Sequence, residues 1–127
     1  MSRELRRIEK LFQALVAAPK TKFPPPQGRL SASRKKGVYL IFSPRGAVLH
    51  VGCTPRANRG IEQRLKNHLA SGSSFVNKYL KGNGSKLRSG YSFSYVEVAE
   101  PRTRMLLEAY SVGHLCPRHI GHGDAAP

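Results

Sequence analysis

The chain has 127 residues, with 22 Lys and Arg against seven Asp and Glu, for a formal net charge of +15. That length supports one core of ordinary size, and two cysteines, Cys53 and Cys116, make no disulfide framework. Charge of this sign and size repels itself unless a polyanion is the partner, and a phosphate backbone is the usual one; a basic ribosome-associated or merely adhesive protein fits the same balance.

Residues 2–18 read as an amphipathic helix. Leu5, Ile8, Leu11, Phe12, Leu15 and Val16 recur at three- and four-residue spacings, with Arg6, Arg7, Glu9 and Lys10 elsewhere around the wheel and Ser2 as N-cap. Charges at its start and Gln13 within the short uncharged run argue against a signal peptide. No stretch fits a membrane span, so a cytoplasmic location and no membrane partner are expected. From Pro19 to Lys36 the periodicity dissolves into Pro24-Pro25-Pro26 and scattered cations, a linker or wrapping arm without a regular backbone ladder. Arg34, Lys35 and Lys36 close it, either touching phosphates or simply solvated.

Two apolar runs, Gly37–Phe42 and Ala47–Gly52, flank Ser43-Pro44-Arg45-Gly46 and read as a β-hairpin. Omitting the four turn residues from the pairing sets Phe42 against Ala47 and Tyr39 directly against His50. A three-residue loop with Gly46 as a bulge slips that register. The turn-rich connection after Gly52 carries Arg56 and Arg59, candidate phosphate contacts. It leads into a helix through about Ala70 whose N-cap is either Thr54 or Asn58. Ile61, Leu65 and Leu69 form the buried stripe of that helix, and Arg64 and His68 stack on one flank of it. Residues 71–90 place Phe75, Val76, Tyr79 and Leu80 on one short helix between loops, with Lys78, Lys81, Lys86 and Arg88 as candidate nucleic-acid contacts. Tyr91–Val98 alternates, aromatics on one face, as the third strand.

The last helix, near Arg102 to Leu115, places Glu108 among Met105, Val112 and Leu115. A carboxylate on so apolar a helix pairs with a cation, accepts strong hydrogen bonds, binds a metal or becomes protonated. Arg104, one turn earlier, offers the structural ion pair; a metal is the other reading.

Gly37-Val38-Tyr39 and His50-Val51-Gly52, followed in order by Arg64-x-x-x-His68 and by Glu108 on the helix after the third strand, resemble the GIY-YIG nuclease superfamily over about residues 37–117. The resemblance implies that Arg64 contacts the reacting phosphate, that His68 lies beside the tyrosine and that Glu108 holds a divalent ion, Mg²⁺ or Mn²⁺. It also implies products with 5′-phosphate and 3′-hydroxyl ends. Tyr39 is then the candidate general base; a free phenol has a pKa of about 10, so it needs cationic neighbours or a relay through His68. Two departures stand out: His50 replaces the second signature tyrosine, and after Cys116-Pro117, where the family often has an Asn near the site, this chain has Arg118-His119-Ile120-Gly121, so that support is missing or substituted by His119.

The tail offers a competing chemistry, zinc on His114, Cys116, His119 and His122, without the second ligand pair of a finger. The expected fold is therefore α/β (α+β): a small three-stranded antiparallel sheet packed by helices. Residues 1–36 form an N-terminal helix and basic Pro-rich linker, and residues 37–127 the nuclease-like domain. The expected function is metal-dependent hydrolysis of DNA. Cutting is directed by structure or strand, since no second DNA-binding segment is recognisable. A non-catalytic nucleic-acid-binding module is the alternative.

Overall fold

The computed structural model describes residues 2–54 and 60–120. Its elements run α1 (Arg3–Ala17), β1 (Thr21–Lys22), β2 (Gly37–Phe42), β3 (Val48–Cys53), α2 (Ile61–Leu69), α3 (Ser74–Tyr79), a 3₁₀ turn (Gly84–Arg88), β4 (Ser92–Glu97) and α4 (Pro101–Leu115). The strands form one antiparallel sheet in the order β1-β4-β2-β3. All six residues of β2 are buried, so its unbroken apolar run belongs to a strand covered on both faces.

The sheet has four strands where three were expected. Thr21 and Lys22 pair with Phe93 and Ser92 of β4, and Phe23 N–H donates to Tyr91 O. The donors missing beside this strand are those of Pro24, Pro25 and Pro26, so Thr21, Lys22 and Phe23 before them remain able to extend the ladder.

Alternation along the strands splits the core in two. Val38, Leu40, Phe42 and Val51 pack against Ile8, Phe12 and Leu15 of α1 and Leu107 of α4. Tyr39, Ile41, Leu49 and Phe93 pack on the other face against Ile61, Leu65, Phe75, Val76 and Leu87, with Phe23 and Leu30 from the arm. Each large side chain so buried contributes roughly 1.5–3 kcal/mol of transfer free energy. Helix α1 starts as expected, Ser2 Oγ accepting from Leu5 N–H, and Arg102 of α4 grips Glu4 with two charged hydrogen bonds. No helix among the described residues is long and apolar enough to cross a membrane.

Neither expected cap starts α2. Gly60 is its N-cap, and the arm supplies the acceptors: Ile61 N–H donates to Lys35 O and Glu62 N–H to Ser33 O. A Cβ at Gly60 would lie 1.9 Å from Arg34 O, so only glycine lets the arm approach this closely. Thr54 instead accepts the Gly37 N–H through Oγ1, and Asn58 lies outside the described residues.

Candidate active site

The hairpin corrects the expected register and keeps its consequence. Tyr39 pairs with Gly52, Ile41 with His50 and Phe42 with Val48; Tyr39 and His50 are diagonal neighbours rather than opposite ones. Two one-residue slips produce the difference. The first is the turn, where Gly46 at φ +90° donates its N–H to Ser43 O while Ser43 N–H donates to Ala47 O. The second is a bulge between Ile41 and Phe42 of β2 and their partners, which adds Leu49 to β3. One slip would have turned His50 to the α1–α4 face; two restore it to the face of Tyr39. Leu49 packs in the same cluster as Tyr39, and the rings of Tyr39 and His50 are 6.0 Å apart.

Tyr39 is fully buried, and its ring lies over Gly52, where an added Cβ would meet Cζ at 2.1 Å. That close approach explains the glycine of the second tripeptide. The Tyr39 hydroxyl is 2.6 Å from His68 Nε2, and His68 Nδ1 is 2.6 Å from Ser73 Oγ, which also accepts the Val76 N–H as N-cap of α3. Burial raises the Tyr39 pKa above that of a free phenol, opposed by the Arg64 guanidinium beside it. Burial likewise holds His68 well below the ordinary imidazole value, with His50 and Arg64 acting in the same direction. Both groups are therefore neutral in the resting site. A neutral His68 that accepts from the phenol at Nε2 carries its proton on Nδ1 and donates it to Ser73 Oγ, an assignment made from the network.

Tyr39, His50, Arg64 and Glu108 line one cleft of about 540 Å³, together with Cys53, Met105, Val112 and His119. His68 is behind it, buried beneath Tyr39. Arg64 and His68 stack on α2 as expected, Arg64 half-buried at the cleft and His68 one turn deeper. Glu108 is half-buried rather than sunk in the core. The partner for a structural ion pair, Arg104, is buried and turns Nη1 to Val98 O and Ala99 O at 3.1 and 2.7 Å. His50 is buried, stacked on Phe75 at 4.8 Å, and its pKa is lowered to about 3 by burial, then by His119 and Arg64.

Glu108 is the one carboxylate lining the cleft among the described residues. That donor set suits Mg²⁺ or Mn²⁺, which binds through one or two carboxylates and completes its shell with water and phosphate oxygens. Zinc requires three or four protein ligands, and His50, Cys53 and His119 line the same cleft as Glu108. Among the described residues no group of three or more His, Cys, Asp and Glu is placed to hold a metal. His114 stacks on Tyr110 of α4 at 4.1 Å, whereas His119 meets His50, so these two tail histidines face different surroundings. His122 lies outside the described residues.

The proposed backbone contacts are dispersed. Lys78, Lys81 and Lys86 are exposed on α3, its following loop and the 3₁₀ turn. Arg88 is half-buried, its Nη1 donating to Pro24 O, Pro25 O and Gly28 O, so it fastens the arm. Arg56 and Arg59 lie outside the described residues. Sequence reasoning missed Ser73, whose place before the apolar residues of α3 signals a cap but not a histidine partner. It offered His119 only as a zinc ligand or in place of the family's Asn, and nothing in a single sequence reports the pairing that brings it to His50. No family model matches the chain, and no curated protein matches it.

Proposed function

We propose that this chain is a divalent-metal-dependent endonuclease that hydrolyses DNA phosphodiester bonds. Its site would be organised as in the GIY-YIG superfamily, and cutting would be directed by structure or strand. The observation that carries the reading is convergence: Tyr39 from β2, His50 from β3, Arg64 from α2 and Glu108 from α4 line a single cleft. The net charge of +15 supports a polyanionic substrate.

In this reading Tyr39 does not ionise in advance, because burial opposes its phenolate. It takes a proton from the attacking water as its own proton passes along the 2.6 Å hydrogen bond to His68 Nε2, while Ser73 Oγ keeps the His68 Nδ1–H satisfied. Arg64 is one of the causes that keep His68 deprotonated; an anionic phosphate on that guanidinium offsets the cation and eases the transfer. Arg64 also neutralises charge building on the equatorial oxygens. His50, its ring 6.0 Å from that of Tyr39, would hydrogen-bond the attacking water or a phosphate oxygen. Glu108 would hold the divalent ion, which when bound supplies Lewis-acid polarisation of the phosphate and shields the leaving oxygen.

The test is incubation of the purified protein with labelled single-stranded, duplex and branched DNA in Mg²⁺, Mn²⁺ or EDTA. Metal-dependent cutting is expected, and Glu108→Ala is expected to abolish it with DNA affinity held within about 3-fold, a margin below about 1 kcal/mol. Wild-type protein that binds these DNAs and cuts none of them would be a binding module instead.

A further inference from the structure

Beyond α4 the chain turns at Cys116, φ +45°, and lies back along β3, the edge strand of the sheet. Arg118 N–H donates to Val48 O at 3.3 Å and His119 N–H to Leu49 O at 2.8 Å. Leu49 is the residue that the bulge adds to β3, next to His50. The irregularity that turns His50 toward Tyr39 thus also presents a carbonyl that seats the tail. The result is a contact between two imidazoles, His50 Nδ1 to His119 Nδ1 at 3.1 Å. Both rings are buried, at 7 % and 8 % exposure, and both line the cleft.

Two imidazoles hydrogen-bond through these atoms only when one Nδ1 carries a proton and the other does not. A neutral histidine with Nδ1 protonated has a bare Nε2, and the reverse holds for its partner. The contact therefore couples the tautomer of His50 to that of His119, and with it the group, donor or acceptor, that His50 offers at Nε2.

We propose that His119 is a positioning residue: its Nδ1 holds the His50 ring in one orientation and one tautomer, so that His50 presents a single defined hydrogen-bonding group to the cleft. This rests on the reading of the cleft as a DNA-cleaving site. His119 touches neither the attacking water nor the phosphate and acts only through His50.

The experiment pairs two readouts on the full chain. His119→Phe keeps a ring against Phe75, whose centroid is 5.5 Å from that of His119, and removes the nitrogens. His119→Asn places an amide near where Nδ1 lies. Nitrogen-15 spectra of labelled histidine are expected to show one fixed tautomer for His50 in the wild type, an exchange-averaged pattern in His119→Phe, and the fixed pattern again in His119→Asn. Single-turnover cleavage of the best DNA substrate is expected to fall at least about tenfold in His119→Phe at unchanged DNA affinity, and to recover in His119→Asn. An unchanged His50 spectrum in His119→Phe overturns the proposal, as does wild-type cleavage by that variant. Wild-type protein that cuts no DNA defeats the endonuclease reading alone, because the spectra still decide whether His119 sets the state of His50.

Discussion

Tyr39 places a phenol where water cannot reach most of it, one hydrogen bond from an imidazole and close to a guanidinium. Tyr39→Phe keeps the ring over Gly52 and removes the hydroxyl. A general base contributes roughly 10²–10⁴-fold in rate, so the variant should cleave at least about a hundred times more slowly while binding DNA normally. It also leaves His68 Nε2 without its partner, which lowers stability by about 1–3 kcal/mol. Single-turnover cleavage and a urea titration measure the two effects; cleavage at the wild-type rate would make Tyr39 a packing residue. Cys53 lines the same cleft, but burial and then Glu108 raise its pKa to about 11, so it stays a thiol at neutral pH and is no competing nucleophile.

At the scale of elements, the hairpin is the device that assembles the site. Its two slips cancel in side-chain parity, and its second strand carries both His50 and the glycine that admits the Tyr39 ring. Gly52→Ala sets a methyl 2.1 Å from Tyr39 Cζ and 2.3 Å from the hydroxyl, against a ring that is fully buried and held by His68. The variant should lose about 1–3 kcal/mol of stability, as overpacked cores do, and lose cleavage with it, because either the tyrosine or β3 must move. Thermal unfolding together with the cleavage assay checks this, and a variant as stable and active as the wild type would show that the ring has room to leave. The helices behind the hairpin depend on partners elsewhere in the chain: α2 takes its first acceptors from the arm, and the Ser73 cap of α3 doubles as the anchor of His68.

For the whole molecule, buried neutral histidines link stability to pH. The folded-state pKa values of His50 and His68 are both lowered, His50 to about 3, so the unfolded chain binds more protons as pH falls. Stability from this source is complete above the unfolded value of about 6.5. It declines as pH drops from there toward about 3, where His50 itself protonates. Each histidine contributes a slope of up to about 1.4 kcal/mol per pH unit. Urea midpoints should therefore fall steadily from pH 7 to pH 4.5; a flat profile would mean that these histidines are charged in the fold. The exposed lysines bear on the proposed binding of DNA instead. Neutralising Lys78, Lys81 and Lys86 should weaken DNA binding alike across sequences and reduce the slope of log K on log salt by about 0.7–0.9 for each phosphate that then goes unneutralised. Titrations at several salt concentrations measure it, and an unaltered slope would place those lysines off the DNA. Arg88 is left out of that set because its removal would loosen the arm.

What the sequence by itself determined is what repeats locally. The stripes of α1 and α2, the alternation of β4, the hairpin and the common flank of Arg64 and His68 follow from periods of 3.6 and 2, which neighbours in the chain suffice to set. The apolar company of Glu108 was legible for the same reason. Tertiary structure alone decided what depends on partners distant in the chain. Thr21 and Lys22 form a strand because β4 offers an edge; α2 starts at Gly60 because the carbonyls of Ser33 and Lys35 arrive there, and a backbone cap has no side-chain signature. Gly46 marked the first slip as an open alternative, but the bulge at Leu49 is silent, since an extra residue in a ladder changes which face every later side chain takes without altering the composition of either strand. The facing of Tyr39 and His50 was read correctly from a wrong register because two such insertions cancel. The meeting of His50 with His119 depended on the bulge and on the tail docking at it, long-range contacts that only the folded chain brings about.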